Sequence, residues 1–533
     1  MLNSPAPPSI DRRRALSASL MLSATAGLAP ALARAETTPP ALADRADAIV
    51  RAAMAASGQP GAAVVVVQDG QVTLARGWGV QRLGAKAPVE ASTRFPIASM
   101  TKAFTAASLA QLVDEGRIRW TDPVRAHLPG FALSDADVSE AITVRDLLLH
   151  VSGLTLGAGD LMVWPFTLHS RAEIVAGLRH LPLSLPLRAS YAYDNVLYVA
   201  AGELIAAVRG APLETVFQQK LLTPAGMTDA IALPSQAAKT GTAWPHARLM
   251  GAVRGEGPIT PLERAIQLGD NALASGGLSL SARDLGRWTQ IQLAGGVTPE
   301  GARLWSKAQA DAMWRPGVIV RVQDGPSAER PDRANFDTYA LGWQVSDYRG
   351  RRMVWHGGVL PGSMCVVHLI PSLNAGVAIL ANAEEPTFLR AVGNTLLDHL
   401  LGAEEVDWLA RLQRHPPRAP ARDIPTIEKV EAADTVPHDR LVGTYQDPWY
   451  GTVSVYRAKR GLAVDFTKTV GMAGPLEPWA PGVFRTRFDD RNLEDAFLTF
   501  DVTAQTVTIR VQAVSKAADF SYDFQDLRLR KIG

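Results

Sequence analysis

The stretch Phe95-Pro96-Ile97-Ala98-Ser99-Met100-Thr101-Lys102 opens the segment that decides the fold of this chain. Beyond it, apolar residues recur at helical spacing as far as Val113. This pattern predicts a largely buried helix that begins at Thr101. Because one helical turn separates Ser99 from Lys102, we expect their side chains to lie on one face as neighbours.

The pair Ser99 and Lys102 points to nucleophilic chemistry. A serine hydroxyl is a weak nucleophile until a base removes its proton, and a lysine desolvated in a cleft can have its pKa lowered enough to act as that base. Backbone N–H groups at the start of a helix also favour developing negative charge. Ser-x-x-Lys arises by chance in long chains, but it occurs only once in this one. The motif therefore indicates a nucleophile that needs partners elsewhere in the sequence.

Two later segments supply candidate partners. Tyr193-Asp194-Asn195 places a phenol and an amide two residues apart, on the same side of an extended loop. A tyrosine whose pKa is lowered by ammonium groups can act as a general base, and an amide can hold a substrate carbonyl. His356-Gly357-Gly358 follows a β-like run that ends at Trp355, and its glycines permit a ligand to approach the strand backbone. Taken singly, each segment also suits a plain structural role in a core or a turn.

In this order along the chain, the three segments resemble the signature of the serine β-lactamase and penicillin-binding-protein superfamily, Ser-x-x-Lys with Ser-Asp-Asn and Lys-Thr-Gly. The forms found here resemble its class C β-lactamase, D-aminopeptidase and esterase branch, peptidase family S12. The resemblance runs from about residue 42 to 401. Supporting stretches are Phe95–Ala98, Leu147–Leu154 and Ala274–Leu278, and Gly443–Tyr445 and Pro448–Gly451 resemble a lipocalin-like β-barrel appended to some members.

The resemblance implies a role for each residue that matches a motif. Ser99 would attack a carbonyl carbon and form an acyl-enzyme. Lys102 and Tyr193 would share the activation of Ser99 and protonate the leaving group. Asn195 would position the substrate or Lys102.

The third motif implies a substrate-binding strand. His356 would line the cleft opposite Tyr193, with Gly358 beside it, and the backbone N–H groups of Ser99 and Val359 would form the oxyanion hole. In the Lys-Thr-Gly form, an ammonium and a hydroxyl hold a substrate carboxylate. Here the histidine is mostly neutral at pH 7 and the following glycine has no hydroxyl. The sequence therefore lacks a strong carboxylate anchor, which argues against efficient β-lactam hydrolysis.

These residues predict a serine hydrolase that forms an acyl-enzyme, with a small molecule or short peptide as substrate. The favoured activity is that of a peptidase or amidase on linear peptides, including peptides with D- or modified residues such as linearised cyclic peptides. An esterase of the same superfamily, a weak β-lactamase, and a non-catalytic penicillin-recognising protein stay open as alternatives. No metal or cofactor is implied, since the chain has no His-Glu-x-x-His or comparable ligand cluster. The oligomeric state cannot be read from the sequence.

The N-terminus and the composition bear on location and partners. Arg12–Arg14, an apolar stretch over 16–28 and Ala33-Arg34-Ala35 predict a cleavable export signal over residues 1–35. Its apolar part is too short to span a bilayer, so we expect no stable membrane insertion and a periplasmic or secreted protein. The arginine pair also resembles a twin-arginine signal. Lys and Arg total 54 against 52 for Asp and Glu, without a long basic run, which argues against nucleic acid as a partner.

The order of predicted elements indicates an α+β fold. Within residues 36–403, a helix and strands come at the beginning and again at the end, with a helical insert between them. This order predicts an antiparallel sheet flanked by helices, with an all-α domain alongside. Through the resemblance, this is a β-lactamase/transpeptidase-like hydrolase domain. A linker rich in Pro, Ala and Arg is predicted over 404–436, and a small all-β barrel over 437–533, with its last strand at 520–529. The single cysteine, Cys365, excludes an intramolecular disulfide and reads as a packed thiol.

Overall fold

The computed structural model describes residues 41–237, 241–251, 254–417, 421–430 and 436–532, and the described residues from Leu42 onward belong to one unit. The predicted export signal and parts of the predicted linker lie outside the described residues. The helices are α1 (Leu42–Ser57), α2 (Thr101–Asp114), α3 (Ala136–Ala141), α4 (Val144–Leu149), α5 (Arg171–Gly177), α6 (Val196–Arg209), α7 (Leu213–Phe217), α8 (Pro234–Ala237), α9 (Leu273–Gly276), α10 (Ala282–Leu293), α11 (Lys307–Met313), α12 (Pro386–Leu401), α13 (Trp408–Arg414) and α14 (His438–Leu441).

The central element of the fold is an eight-stranded antiparallel sheet in the order β2-β1-β12-β11-β10-β9-β8-β7. The strands outside the barrel are β1 (Gly61–Gln68), β2 (Gln71–Gly79), β3 (Phe95–Pro96), β4 (His246–Arg248), β5 (Ile259–Pro261), β6 (Ser279–Leu280), β7 (Val318–Val322), β8 (Phe336–Tyr339), β9 (Gln344–Tyr348), β10 (Arg351–Leu360), β11 (Ser363–Ile370) and β12 (Ala375–Ala381). Ala62 on β1 pairs with Ala381 on β12, so strands from the two ends of the hydrolase domain lie side by side, one strand in from the β2 edge of the sheet. The expected α+β fold is confirmed.

Strand β1 shows why this sheet needs a layer of helices on each face. Its residues alternate between two apolar cores: Ala63, Val65 and Val67 belong to one, and Ala62, Val64 and Val66 to the other. Helix α10 packs on the first face, and α1 with α12 covers the second. A strand buried on both faces has no polar side, which explains the unbroken apolar run in the sequence.

Helix α13, which follows α12, is held in place by hydrogen bonds to one buried carboxylate. Asp398 on α12 accepts hydrogen bonds from Trp408 Nε1 at 2.7 Å, from Tyr348 Oη at 2.8 Å and from the Arg349 guanidinium at 2.6 and 2.7 Å. Its side chain is only 3% exposed. Since all of its partners are donors, this group stabilises the contact between α12, α13 and the β9–β10 turn.

The helical insert is built around α2 and packs on the same face of the sheet as α10. Helix α2 is buried from Thr101 to Leu112, as predicted, and α6 and α9 pack against it. Within the part of the chain that the structure describes, no one helix has both the length and the apolarity to cross a bilayer; Val196–Arg209 and Leu213–Leu222 meet the criterion only together, with a bend of 76° between them.

The C-terminal strands close into an eight-stranded barrel, as predicted. They are β13 (Gly443–Asp447), β14 (Gly451–Arg457), β15 (Leu462–Phe466), β16 (Ala473–Ala480), β17 (Val483–Thr486), β18 (Ala496–Val502), β19 (Val507–Ala513) and β20 (Leu529–Lys531). Closure comes from β20, whose Lys531 pairs with Tyr445 on β13.

One barrel prediction is wrong. The structure does not form the strand expected over 520–529. Its last strand is Leu529–Lys531, which shares only Leu529 with that range, and residues 519–527 are a loop that runs against the hydrolase domain. The reason is local: the Asp519 carboxylate accepts the backbone N–H of Ser521 at 2.9 Å, which folds the chain into a turn instead of an extended strand.

Candidate active site

Ser99 lies in a short 3₁₀ turn, Ala98–Met100, that leads directly into α2. This turn is fixed by the short strand pair β3–β6, in which Phe95 pairs with Leu280, and by the bond from Ile97 N–H to the Leu278 carbonyl at 2.9 Å. Ala98 adopts a φ of 45°, a left-handed conformation that alanine rarely takes and that neighbouring structure has to impose. The turn leaves the Ser99 side chain half-buried, within reach of a substrate.

Lys102 is completely buried beneath Ser99, and its ammonium group is held at three points. Its Nζ donates to Asn195 Oδ1 at 2.6 Å, to the Ser275 carbonyl at 2.9 Å and to Ser99 Oγ at 3.1 Å. The predicted neighbours Ser99 and Lys102 are therefore in hydrogen-bond contact. The Ser275 carbonyl comes from the Ala274–Leu278 stretch that the sequence singled out.

Burial makes Lys102 a usable base. Desolvation lowers the pKa of the Lys102 ammonium to about 7, although the nearby Asp160 and Asp194 carboxylates favour the charged form. A pKa near neutrality means that a substantial fraction of the free amine is present at physiological pH. The free amine can accept the Ser99 hydroxyl proton across 3.1 Å.

Tyr193 and Asn195 both reach Lys102 from the N-terminal side of α6. The Tyr193 ring centroid lies 4.8 Å from Lys102 Nζ, and the Tyr193 hydroxyl forms a side-chain hydrogen bond with Ser99. Burial raises the pKa of Tyr193 well above its usual value, so the phenol keeps its proton. Burial thus raises the Tyr193 pKa that ammonium groups were expected to lower, and a protonated phenol lies beside Lys102, whose free amine can act as a base.

His356 lies on β10 but does not open into the cleft, since it is only 2% exposed. Its Nδ1 lies 2.6 Å from the Gly357 carbonyl oxygen and therefore carries the proton, so Nε2 accepts the Tyr339 hydroxyl hydrogen at 3.0 Å. Burial lowers the pKa of His356 to about 3, with the Lys102 charge as a second cause. We therefore interpret His356 as a neutral residue that holds Tyr339. The histidine expected to line the cleft lies one layer behind it.

Tyr339 and Tyr193 are packed together by His150, which sits at the end of α4. The His150 ring centroid is 4.2 Å from that of Tyr193 and 4.7 Å from that of Tyr339. Burial keeps His150 neutral by lowering its pKa well below the usual value. This aromatic group fixes the Tyr193 ring without adding charge beside Lys102.

Gly358 has a different role from the one predicted. A Cβ at this position would lie 2.3 Å from the Ile97 carbonyl oxygen and 2.6 Å from Cys365 Sγ. The missing side chain thus allows β10 to approach the Ser99 turn, not a ligand to approach the strand. Cys365 is buried, and its Sγ lies 3.1 Å from the Ile97 carbonyl, so the packed thiol is confirmed.

Val359 follows Gly358 at the point where β10 borders the Ser99 turn. Within the described strands, the β9 pairing ends at Trp355, so the β10 edge from 356 onward faces the turn instead of a strand. This arrangement fits the expected oxyanion donors, the N–H groups of Ser99 and Val359. The Val359 side chain points the other way and is 47% exposed.

The Val359 side chain lines a cavity of about 430 Å³ between the hydrolase domain and the barrel. Leu156 and Phe520 contribute apolar surface, while Arg254 and Glu494 lie among the charged residues of the lining. Ser99, Lys102 and Tyr193 do not line this cavity, which adjoins the site through Phe520, whose ring packs edge-on against Tyr193.

Sequence reasoning missed two residues of this site, Asp160 and Ser521. The Asp160 carboxylate accepts the Asn195 backbone N–H at 2.8 Å, Asn195 Nδ2 at 2.7 Å and the Ser521 hydroxyl at 2.7 Å. Neither residue belongs to a motif, and Ser521 comes from a segment predicted as a barrel strand. Across the described residues, no group of three or more His, Cys, Asp or Glu side chains comes together as metal ligands would.

Comparison with known proteins identifies the family and the fold. The β-lactamase family profile matches residues 46–401, and a profile described as a domain of unknown function, DUF3471, matches residues 428–531. Among solved structures, the octameric penicillin-binding protein homologue from Pyrococcus abyssi aligns with 92% of this chain and 100% of its own, with a TM-score of 0.57 at 20% identity, a likeness of fold.

The curated relatives include proteins named as hydrolases and as penicillin-binding proteins. An unguisins hydrolase from Aspergillus campestris is 28% identical over 424 residues, which cover 74% of each chain. Penicillin-binding protein 4 from Amycolatopsis lactamdurans is 28% identical over 371 residues, which cover 68% of this chain and 90% of its own. Since the β-lactamase profile covers well over half of the residues, the chain belongs to the β-lactamase family, in the superfamily that includes the penicillin-binding proteins.

Proposed function

We propose that this protein is an exported serine hydrolase that forms an acyl-enzyme on Ser99 and acts best on amide bonds of short linear peptides, including peptides with D- or modified residues. The observation that carries the proposal is the buried Lys102 amine, 3.1 Å from the Ser99 hydroxyl, with a pKa near neutrality. A nucleophile and its base at this distance are the minimum for acyl transfer.

In the proposed reaction, Lys102 Nζ takes the Ser99 proton as Oγ attacks the substrate carbonyl carbon. The backbone N–H groups of Ser99 and Val359 hold the oxyanion of the tetrahedral intermediate. Collapse of the intermediate breaks the scissile bond, and the leaving group takes the Tyr193 phenol proton, which the Lys102 ammonium replaces. A water molecule then attacks the acyl carbon and loses one proton to Lys102. As the bond between the acyl carbon and Ser99 Oγ breaks, Lys102 returns that proton to Oγ, which releases the acid and restores the free hydroxyl and the free amine.

The protonated state of Tyr193 supports amides over esters. An amine is a poor leaving group until its nitrogen is protonated, whereas an alkoxide with a low pKa leaves without help. Because burial keeps the phenol of Tyr193 protonated beside Ser99, the site holds an acid where amide cleavage needs one. The relative named as an unguisins hydrolase adds support for hydrolysis as the reaction type.

The third motif argues against β-lactams as the main substrates. His356 is neutral and hydrogen-bonded to Tyr339, so the third-motif part of β10, His356-Gly357-Gly358, presents no cation to a substrate carboxylate. Arg254, in the cavity lining, is already engaged by Glu384, with Nη1 at 2.8 Å from Oε2. Export is supported by the arginine-rich and apolar N-terminal sequence and would place the substrate outside the cytoplasm.

The test is intact-mass analysis combined with matched substrates. Wild type, Ser99→Ala and Ser92→Ala would be incubated with an acyl p-nitroanilide and the p-nitrophenyl ester of the same acyl group, with D- and L-peptides, and with a cephalosporin. Ser92 is the control because its hydroxyl donates to the nearby Glu90 carboxylate at 3.4 Å and, among the described residues, has no hydrogen bond to the site. We expect an acyl adduct and turnover that Ser99→Ala abolishes and Ser92→Ala retains.

The substrate panel separates the alternatives. Ester turnover without any peptide or anilide turnover would replace the peptidase proposal with an esterase. Fastest turnover of the cephalosporin would make the protein a β-lactamase. A stable Ser99 adduct without release would indicate a penicillin-recognising protein, and no Ser99-dependent adduct or product would refute the proposed mechanism.

A further inference from the structure

The barrel loop over residues 519–523 reaches into the hydrolase domain beside the proposed nucleophile. The Phe520 ring packs edge-on against Tyr193 with centroids 5.7 Å apart. The next residue, Ser521, is only 4% exposed, and its hydroxyl lies 2.7 Å from Asp160 Oδ2. A segment more than 300 residues away in sequence thus touches two residues of the site.

Ser521 begins a chain of hydrogen bonds that ends at the proposed base. Its hydroxyl contacts the Asp160 carboxylate, which accepts the side-chain amide and the backbone N–H of Asn195 at 2.7 and 2.8 Å. Asn195 Oδ1 then accepts from Lys102 Nζ at 2.6 Å. The amide orientation of Asn195 is therefore dictated from both ends, by an acceptor on one side and a donor on the other.

The loop also holds the backbone turn that carries Asp160. Asp523 Oδ2 accepts the Gly159 N–H at 2.6 Å. A Cβ at Gly157 would lie 2.6 Å from the Phe520 carbonyl oxygen, so this glycine permits the close approach of the loop. Together these contacts fix both the main chain and the carboxylate of Asp160.

The loop has its own support from the segment before the barrel. Arg422 donates from Nη1 to the Tyr522 carbonyl at 3.0 Å and to the Asp519 carbonyl at 3.2 Å. The Asp519 carboxylate also accepts the Ser521 N–H at 2.9 Å, so the turn is fixed both by Arg422 and by a hydrogen bond of its own. Ser521 is thus presented by a built turn, and its contact with Asp160 does not depend on a free side chain finding a partner.

Several titratable groups face the Lys102–Asp160 pair. The Asp194 carboxylate also acts on both, His150, His356, Tyr193 and Tyr198 surround the amine, and Asp523 lies near Asp160. Burial keeps the two histidines neutral and both tyrosines protonated, and it raises the pKa values of Asp194 and Asp523 strongly. Burial also raises the pKa of Asp160, to about 7, and the hydrogen bonds from Asn195 and Ser521 act against that rise because they favour the ionised form.

We propose that Ser521 is a positioning residue of the acyl-transfer site, through which the C-terminal barrel sets the orientation of Asn195 and the protonation of Lys102. The inference rests on the proposed function, since it assigns a role toward the same base. Its physical content is electrostatic: a hydroxyl that donates to Asp160 favours the carboxylate, and the carboxylate favours the ammonium form of Lys102. Without Ser521, Asp160 gains a proton more easily and Lys102 loses one more easily.

The test is the pH profile of kcat/KM in the full-length protein, with an activated ester so that leaving-group protonation does not limit the rate. For Ser521→Ala we expect the acid limb to move to lower pH by a few tenths to about 1 pH unit. The plateau should fall about tenfold, because Asp160, which orients Asn195, loses one of the hydrogen bonds that fix it. Ser521→Thr, which keeps the hydroxyl, should restore the wild-type limb.

Two further variants keep the result interpretable. Ser515→Ala is the matched control, because this serine, four residues before the loop, accepts the nearby Ala517 N–H at 3.1 Å; the substitution should leave the profile unchanged. Asp160→Asn removes the charge directly and should move the limb in the same direction as Ser521→Ala, which covers the case in which Ser521→Ala does not fold.

An unmoved acid limb in folded Ser521→Ala and Asp160→Asn would overturn the inference, and so would an equal shift in Ser515→Ala. A lower plateau with an unmoved limb would mean a merely structural role, which is also a refutation. Failure of the proposed function would look different, because the Ser99→Ala protein would then keep the activity of the wild type.

Discussion

Replacing Gly358 with alanine tests whether the approach of β10 to the Ser99 turn is required for activity. The added Cβ would lie 2.3 Å from the Ile97 carbonyl oxygen, 2.6 Å from Cys365 Sγ and 3.0 Å from Ala98 Cβ. The first contact is with backbone, which cannot move aside as a flexible side chain can. The strand must therefore retreat from the turn by about 1 Å to restore normal contact distances.

The cost of that retreat should appear mainly in the rate. Overpacking a tight site costs about 1–3 kcal/mol of stability, which a domain of this size tolerates. Displacement of a catalytic group by about 1 Å lowers a rate about 10²-fold, and loss of one oxyanion donor lowers kcat about 10²–10³-fold. We therefore expect kcat of Gly358→Ala to fall by at least about 10²-fold, with a moderate fall in Tm.

Gly357→Ala is the matched control, since the nearest atom to its Cβ, outside its immediate neighbours, would be the Cys365 carbonyl oxygen at an ordinary 3.7 Å. Both variants would be assayed for ester turnover and for Tm. We expect Gly357→Ala to stay within about threefold of the wild-type rate. Similar rates for the two variants, with Gly358→Ala folded, would refute the argument that Gly358 positions the oxyanion donor.

Three other outcomes follow from the contacts. Tyr193→Phe should lower anilide turnover about 10²-fold or more and ester turnover much less, with Tm nearly unchanged. The control is Tyr198→Phe, which removes the hydroxyl that donates to the Leu148 carbonyl at 2.9 Å. It should lower Tm and leave the ratio of anilide to ester turnover unchanged. Asp398→Ala should lower the free energy of unfolding by about 3–5 kcal/mol in urea titration, because it strands buried donors, without changing KM. The acylation rate should fall about tenfold per pH unit below pH 7, where Lys102 becomes protonated, and show no fall up to pH 9; a flat profile from pH 5 to 9 would exclude this base.

Much of this fold could be predicted because local patterns and tertiary structure agree in the hydrolase domain. The apolar spacing from Thr101 to Val113 led to a buried helix that the structure forms as α2. The spacing from Ser99 to Lys102 led to a contact that the structure forms at 3.1 Å. In these cases one residue pattern determines the result.

The remaining features depend on partners that are distant in sequence. Nothing local to Gly358 reveals that Ile97 lies against it, so a tight contact between two segments looked like space for a ligand. The apolar and aromatic residues around Ser521 suggested a strand, but the loop is held by Arg422 and turned toward Asp160. Burial also reversed the expected effect on Tyr193, whose pKa rises instead of falling.

The pairing of β1 with β12 has a consequence for the nascent chain. Val64 to Val67 carry no charge, and their partners Ile379, Ala378, Val377 and Gly376 are synthesised more than 300 residues later. At about 5–20 residues per second, the ribosome needs roughly 15 to 60 s to supply them. During that interval the β1–β2 hairpin has one unpaired, strongly apolar edge, which is a typical site for aggregation and for chaperone binding. Chains truncated before residue 375 should therefore collect in inclusion bodies, even though they contain Ser99, Lys102 and Tyr193.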